Sequence, residues 1–114
     1  MIIDKGLLGG STILLLLSLL EESDRYGYDI IKELEIRSDK AFQFKEGTLH
    51  PILHKLENSG YVKSYMSKGD TGKERRYYQI TKSGKTQLAE EKERWEAFSI
   101  SVNKVIGGGV NAFA

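Results

Sequence analysis

The chain has 114 residues, of which 39% are hydrophobic and 29% charged, and its formal net charge is +1; this is the composition of one folded domain and excludes a disordered polar chain. It contains no cysteine, which excludes disulfides, thiolate metal sites and thiol nucleophiles. A total so near neutrality does not announce a nucleic-acid binder, so the distribution of charge must carry any such reading.

Residues 1–8 read as an extended or frayed start. The one strongly apolar run, Ile13–Leu20, is far shorter than the roughly 20 residues that span a bilayer. It has only Lys5 as a preceding cation, and Glu21-Glu22-Ser23-Asp24-Arg25 follows with no small-residue cleavage site. The run therefore reads as a buried helix of a cytoplasmic protein, from about Gly9–Thr12 to Glu22, with no membrane partner. Its nearly continuous apolar surface needs cover on several sides, which hints at a second chain.

Ser23 or Asp24 is placed to cap a second helix, Tyr26–Arg37, with Tyr28, Ile31 and Leu34 on one side. Ala41-Phe-Gln-Phe44 alternates and predicts a short strand. A third helix follows from Glu46. Leu49, Ile52, Leu53 and Leu56 recur at i, i+3, i+4, i+7, and Asn58-Ser59-Gly60 is a stop signal. Pro51 is tolerable because the helix starts only a turn earlier. Off the apolar stripe lie Thr48, His50, Pro51, His54 and Lys55. From Tyr61 the period becomes two: Tyr61–Ser67, a glycine-containing loop Lys68–Lys73, then Glu74–Thr81, which together predict an antiparallel hairpin. Thr81 caps a long fourth helix, Lys82 to about Ile106. Gly107–Gly109 ends that helix, and a loose tail follows.

Helices followed by a hairpin and a long helix make an α+β, mostly α, winged helix-turn-helix with a C-terminal dimerisation helix. The expected organisation is a DNA-binding unit over 1–81, the dimerisation helix over 82–106 in the same compact body, and a tail over 107–114. From Gly60 to Lys85 seven cations (Lys63, Lys68, Lys73, Arg75, Arg76, Lys82, Lys85) face two anions, Asp70 and Glu74. A hairpin tip from Lys68 to Arg76 with such cations suits phosphate contacts, since counterion release drives the sequence-independent part of affinity. Thr48 and His50 stand in the N-terminal turns of the third helix, where a recognition helix meets base edges, flanked by Lys45 and Lys55 for phosphates. Pro51 and His54 share that face. Tyr26 and Tyr28 offer hydroxyls to the backbone, with Tyr28 equally readable as core. The bland alternative is that the hairpin cations are solvated surface.

Tyr26-Gly-Tyr-Asp-Ile30, Glu46-Gly-Thr-Leu-His-Pro51, Leu56-Glu-Asn-Ser-Gly-Tyr-Val62, Arg76-Tyr-Tyr-Gln-Ile-Thr-Lys-Ser-Gly84 and Trp95 together resemble the PadR family of bacterial transcriptional regulators, over about Leu8 to Ile106. The single C-terminal helix is similar to that of the small subfamily. The resemblance implies a homodimeric repressor on a palindromic operator. It departs at His50, where the family usually carries tyrosine, which puts family-derived contacts there in doubt.

On the fourth helix, Leu88, Trp95, Phe98, Val102, Val105 and Ile106 follow spacings close to a heptad seam. The seam predicts a dimer interface that sets two recognition helices about one DNA turn apart. The resemblance adds a possible small aromatic effector: in drug-sensing members an aromatic at the place of Trp95 lines a pore between subunits. Here Trp95 and Phe98 would stack on the ligand, with Leu14, Leu17 or Leu88 as walls. Trp95 reads equally well as dimer core.

Other constellations carry less. His50 and His54 stand i, i+4, a metal-ligand spacing, but no further histidine and no cysteine supports them, so the pair reads as DNA-facing and no metal or cofactor is expected. Gly69-Asp-Thr-Gly-Lys73 lacks the spacing of a phosphate loop. Glu90, Glu91, Glu93 and Glu96, interleaved with Lys92 and Arg94, read as the exposed charged face of the last helix. Nothing resembles a nucleophile with its base, so no enzyme is expected. The competing function is a winged helix that binds ligands or docks proteins without DNA, supported by His50 and the near-neutral charge alone.

Overall fold

The computed structural model describes residues 1–3, 9–70 and 72–107; the expected loose tail, Val110–Ala114, lies outside them, as does most of the expected frayed start. A 3-10 turn, Gly9–Ser11, leads into α1 (Thr12–Glu22). There follow β1 (Arg25–Tyr26), α2 (Gly27–Arg37), α3 (Glu46–Asn58), β2 (Val62–Ser67), β3 (Arg75–Ile80) and α4 (Lys82–Val105). This is the winged helix-turn-helix order.

α1 is the centre of the core. Leu16, Leu17, Leu19 and Leu20 are buried because α2, α4 and β3 all pack on this one helix. Each such leucine stabilises the fold by about 1.5–3 kcal/mol relative to exposure. α3 contributes Leu49, Leu53 and Leu56, as its stripe predicts, with Ile52 partly buried beside them. On α2 the buried pair is Ile30 and Leu34, with Ile31 partly buried. Tyr28 is 50% exposed, so the expected stripe was one position out of phase at its start and the core reading of Tyr28 is lost.

The sheet has the order β1-β3-β2, all antiparallel. Its first strand is a finding. Arg25 and Tyr26 pair with Tyr78 and Tyr77, whereas the strand expected at Ala41–Phe44 does not form. Phe42 and Phe44 do both pack on the core, which explains their alternation. Among the described residues, a backbone bond joins this segment to the N-terminal stretch, from Ile3 N–H to Ala41 O at 2.8 Å. Asp24 does not cap α2. The residue before α2 is Tyr26, with no side-chain capping bond.

α4 begins where the hairpin closes. Thr81 Oγ1 accepts from Gly84 N–H at 3.0 Å and donates to Gly60 O at 2.6 Å, and Ser83 Oγ donates to the same carbonyl at 2.9 Å. Gly84 is buried so tightly that a Cβ would collide with the Tyr61 carbonyl oxygen and approach Ile80 Cγ1 to 2.8 Å. The helix turns off after Val105, with Gly107 at φ +110°.

Candidate nucleic-acid interface

α3 has two faces for a simple reason. Its leucines recur on the helical period, and the polar residues between them are left outside. The Lys45 carbonyl accepts the first N–H groups, from Thr48 at 3.0 Å and Leu49 at 2.9 Å. His50, Pro51, His54 and Lys55 are exposed and Thr48 half-buried, with Lys45 exposed at the entry. Pro51 has no N–H to give to the Gly47 carbonyl, yet the helix runs unbroken to Asn58.

The wing stands beside this helix. Alternation along β3 sends its two arginines to opposite faces of the sheet. Arg75 lies over the Tyr26 ring, guanidinium carbon 4.5 Å from the centroid, and its Nε is buried without a hydrogen-bond partner. Tyr26 meets Tyr77 edge-on at 5.4 Å, and Tyr77 stacks on Tyr65 at 5.8 Å, so one row of tyrosines crosses all three strands. Arg76 faces α3. It donates to Ser64 Oγ at 3.0 Å, and Ser64 donates to the Glu57 carboxylate at 2.6 Å. At the tip Lys68 and Lys73 are exposed but engaged with neighbours, and the Tyr77 hydroxyl sits directly under Gly69, whose φ is +53°.

Between wing and helix lies a cleft of about 460 Å³. Tyr26, Tyr28, His50, Arg75 and Arg76 line it, along with Glu46 and Gly47 at the start of α3. Five of the residues expected at the DNA surface therefore surround one cleft. Thr48, Pro51, His54 and Lys55 continue along α3, while Lys68 and Lys73 stand apart at the wing tip. The cleft is cationic on the wing side and carries one carboxylate, Glu46, on the helix side.

Sequence reasoning passed over the residues that hold these parts together. Asp24 accepts from the Tyr65 hydroxyl and from Gln79 Nε2, tying the α1–α2 turn to β2 and β3. That bond pushes the Tyr65 hydroxyl up to about 12. Arg25 points inward, its Nε donating to Leu19 O and its remaining nitrogens to Asp29 and Glu22. Arg37 reaches the same Glu22 at 2.6 Å, and these partners hold the Glu22 carboxyl down at about 2, Arg37 first and Arg25 after it. An Asp-Arg pair just past the end of a helix is the available signal, and the cap expected of Asp24 accounts for only one of its two side chains.

The far end of the molecule is apolar. Along α4, Trp95 and Phe98 are 50% and 60% exposed with ring centroids 6.0 Å apart, and Val102, Val105 and Ile106 continue the exposed strip. Leu88 does not belong to it. At 1% exposure it is core, as is Leu17 at 0%, because α4 packs on α1 there; neither lines the pocket beside Trp95, and neither has surface of its own to offer a second chain. Glu91 is likewise buried, not part of the charged outer face, and accepts from Arg94 at 2.6 Å. Trp95, Phe98 and Leu14 do line a pocket of about 430 Å³, whose other walls are Ile3, Phe42, Glu91 and Arg94.

Comparison with known proteins gives a consistent answer. The model of the "Transcriptional regulator PadR-like family" matches residues 16–90. The transcriptional regulator Rv3488 of Mycobacterium tuberculosis is 31% identical over 87 residues, which cover 76% of this chain and 75% of that one. Among solved structures, a transcriptional regulator from Clostridium thermocellum is similar with a TM-score of 0.76 at 36% identity, over 92% of this chain and 98% of the other. A PadR family transcription regulator from Clostridium difficile is similar with a TM-score of 0.74 at 35% identity, over 85% and 99%.

Proposed function

The chain belongs to the PadR-like family of transcriptional regulators and is a DNA-binding regulator, not an enzyme; from that premise we propose that it acts as a homodimeric repressor on a palindromic operator. The observation that carries the DNA surface is the cleft shared by α3 and the wing. Thr48 and His50 would meet base edges in the major groove. Lys45, Lys55, Lys68 and Lys73 would take phosphates, and Tyr26, Tyr28, Arg75 and Arg76 would hold the backbone across the cleft. A phosphate oxygen would also give the buried Arg75 Nε the acceptor it lacks, removing a cost of about 1–3 kcal/mol. Pro51 and His54 complete the contact face.

The dimer reading rests on α4. Its strip from Trp95 to Ile106 is a contiguous apolar face on an otherwise charged helix, which self-association would bury. Residues 1–81 would serve as the DNA-binding unit and 82–106 as the dimerisation helix. The pocket beside Trp95 supports a small aromatic effector at that interface, stacked on Trp95 and Phe98 with Leu14 behind. The test is selection of bound duplexes from a random pool. A palindrome with half-sites about one helical turn apart is expected. A winning sequence with one half-site, or no enrichment at low salt, would overturn the reading.

A further inference from the structure

We propose that the pocket beside Trp95 is coupled to the base-reading end of α3 through Phe42, so that an aromatic ligand in the pocket weakens DNA binding by displacing the connector that launches the recognition helix. This rests on reading that pocket as an effector site.

Phe42 has two positions at once. It lines the pocket together with Trp95 and Phe98. It also lies in the connector 38–45, which joins the end of α2 to the start of α3. Three residues on from Phe42, the Lys45 carbonyl takes the first hydrogen bonds of α3, those of Thr48 and Leu49. Any shift of Phe42 is therefore delivered within a few bonds to the turn that carries Thr48 and His50.

The two sides of the pocket differ in stiffness. Trp95 and Phe98 sit on a continuous 24-residue helix, next to the buried Glu91 and its partner Arg94. The connector has no regular structure. Its first half is bonded to the end of α2, through Lys40 N–H to Glu35 O at 2.8 Å and Ser38 Oγ to Leu34 O at 2.6 Å; beyond that it is held by Ala41 N–H to Ser38 O at 3.1 Å, Phe42 N–H to Ser38 Oγ at 2.9 Å, Gln43 Nε2 to Lys40 O at 3.1 Å and Ile3 N–H to Ala41 O at 2.8 Å. It also stores strain, because Asp39 and Lys40 both hold positive φ, at 52° and 68°, where non-glycine residues each cost on the order of 1 kcal/mol or more. A flat ring stacked on Trp95 shares the pocket with Phe42, and the side that lacks regular structure and stores strain is the one that yields. Ligand and DNA then select different connector positions, and each lowers the affinity of the other by the same factor.

Trp95 is the single tryptophan, so its emission reports the seat directly. The probe is anilinonaphthalene sulfonate, followed by energy transfer from Trp95. DNA affinity is read by anisotropy of a red-dye-labelled duplex taken from the random-pool selection, with and without saturating probe. In the native chain the probe is expected to weaken duplex binding by about fivefold or more. Phe42→Ala should still show transfer from Trp95 while the affinity ratio falls toward one, and Phe42→Leu should fall between. Melting and near-ultraviolet dichroism establish that each variant is folded, and Phe42→Leu carries the test if the alanine variant is not. Full coupling in the Phe42 variants overturns the route. Probe binding without any effect on the native chain's DNA affinity overturns the coupling and leaves the pocket standing. No response of Trp95 to the probe removes the effector reading itself, and this proposal with it.

Discussion

Arg75 and Arg76 are neighbours on one strand, and replacing each by alanine separates what the wing does for binding from what it does for stability. Losing the Arg75 guanidinium uncovers the Tyr26 ring, 4.5 Å away, and such a contact is worth about 0.5–2 kcal/mol. The same truncation removes a buried, partnerless Nε–H, whose burial costs about 1–3 kcal/mol. The two terms oppose each other, so Arg75→Ala should destabilise by no more than about 1 kcal/mol, or a loss of roughly 4–8 °C, and stabilises by up to about 2.5 kcal/mol where the removal of the buried donor dominates. Arg76→Ala loses one exposed bond to Ser64, which keeps its own bond to Glu57, and should change stability less. Binding should respond differently. If each arginine meets a phosphate, each variant lowers the slope of log K against log salt by about 0.9. Between 50 and 200 mM salt the variant would then lose affinity about 3.5-fold less than the native chain, by the same relation. Anisotropy titrations at four salt concentrations, beside thermal melts, provide both readouts. An unchanged slope in both variants would refute phosphate contact by the wing. A melting loss well beyond 8 °C for Arg75→Ala would show that its role is structural.

Gly84→Ala should destabilise by at least about 1–3 kcal/mol, because the new Cβ meets the backbone carbonyl of Tyr61; a denaturation midpoint equal to the native one would contradict this packing. The folded-state pKa of Glu22 is depressed to about 2 by Arg37 and Arg25, so its contribution is present above its ordinary value of 4.5 and is lost as pH falls toward 2. Melting points should drop over that window, and Glu22→Gln should flatten the drop; parallel curves for the two proteins would exclude the linkage. Phe98→Glu should convert a dimer at micromolar concentration to a monomer in sedimentation without loss of helix content, since Phe98 is 60% exposed within its own chain; a native chain that sediments as a monomer would remove the interface.

Long periodic segments were legible in the sequence, and what went wrong has particular causes. α3 and the hairpin came through because leucine spacing on one and alternation on the other admit a single reading. β1 did not, since two residues carry no period; Arg25 and Tyr26 become a strand only because β3 lies alongside them. Ala41–Phe44 shows the converse: Phe42 and Phe44 alternate for packing, yet none of the described strands pairs with them. On α4 the heptad spacing ran Leu88 and Trp95 together, although α1 covers the first and leaves the second exposed. A stripe reports that residues share a helix face, not which neighbour covers them. The cleft itself was half legible: its members could be named from charge and position, but the Arg75–Tyr26 contact and the Arg76–Ser64–Glu57 chain depend on register across strands.

The turn after α1 fixes how the DNA surface can move. Three consecutive side chains leave it in three directions: Asp24 to Tyr65 and Gln79 on the wing, Arg25 to the end of α1 and to Asp29 on α2, and Tyr26 under Arg75 and against Tyr77. The wing is thereby joined to the first two helices by charged and aromatic contacts at one point. The Tyr65–Asp24 contact persists through the neutral range, because the bond to Asp24 raises the Tyr65 hydroxyl to about 12 and keeps it protonated there. Wing, α1 and α2 then behave as one body. α3 is attached to that body through its leucines on one face, through the Ser64–Glu57 bond at its C-terminal end and through the connector 38–45 at its reading end. Freedom to reorient Thr48 and His50 relative to the wing therefore resides in the connector, where Asp39 and Lys40 hold strained backbone, and not at the turn that joins the wing to α1 and α2.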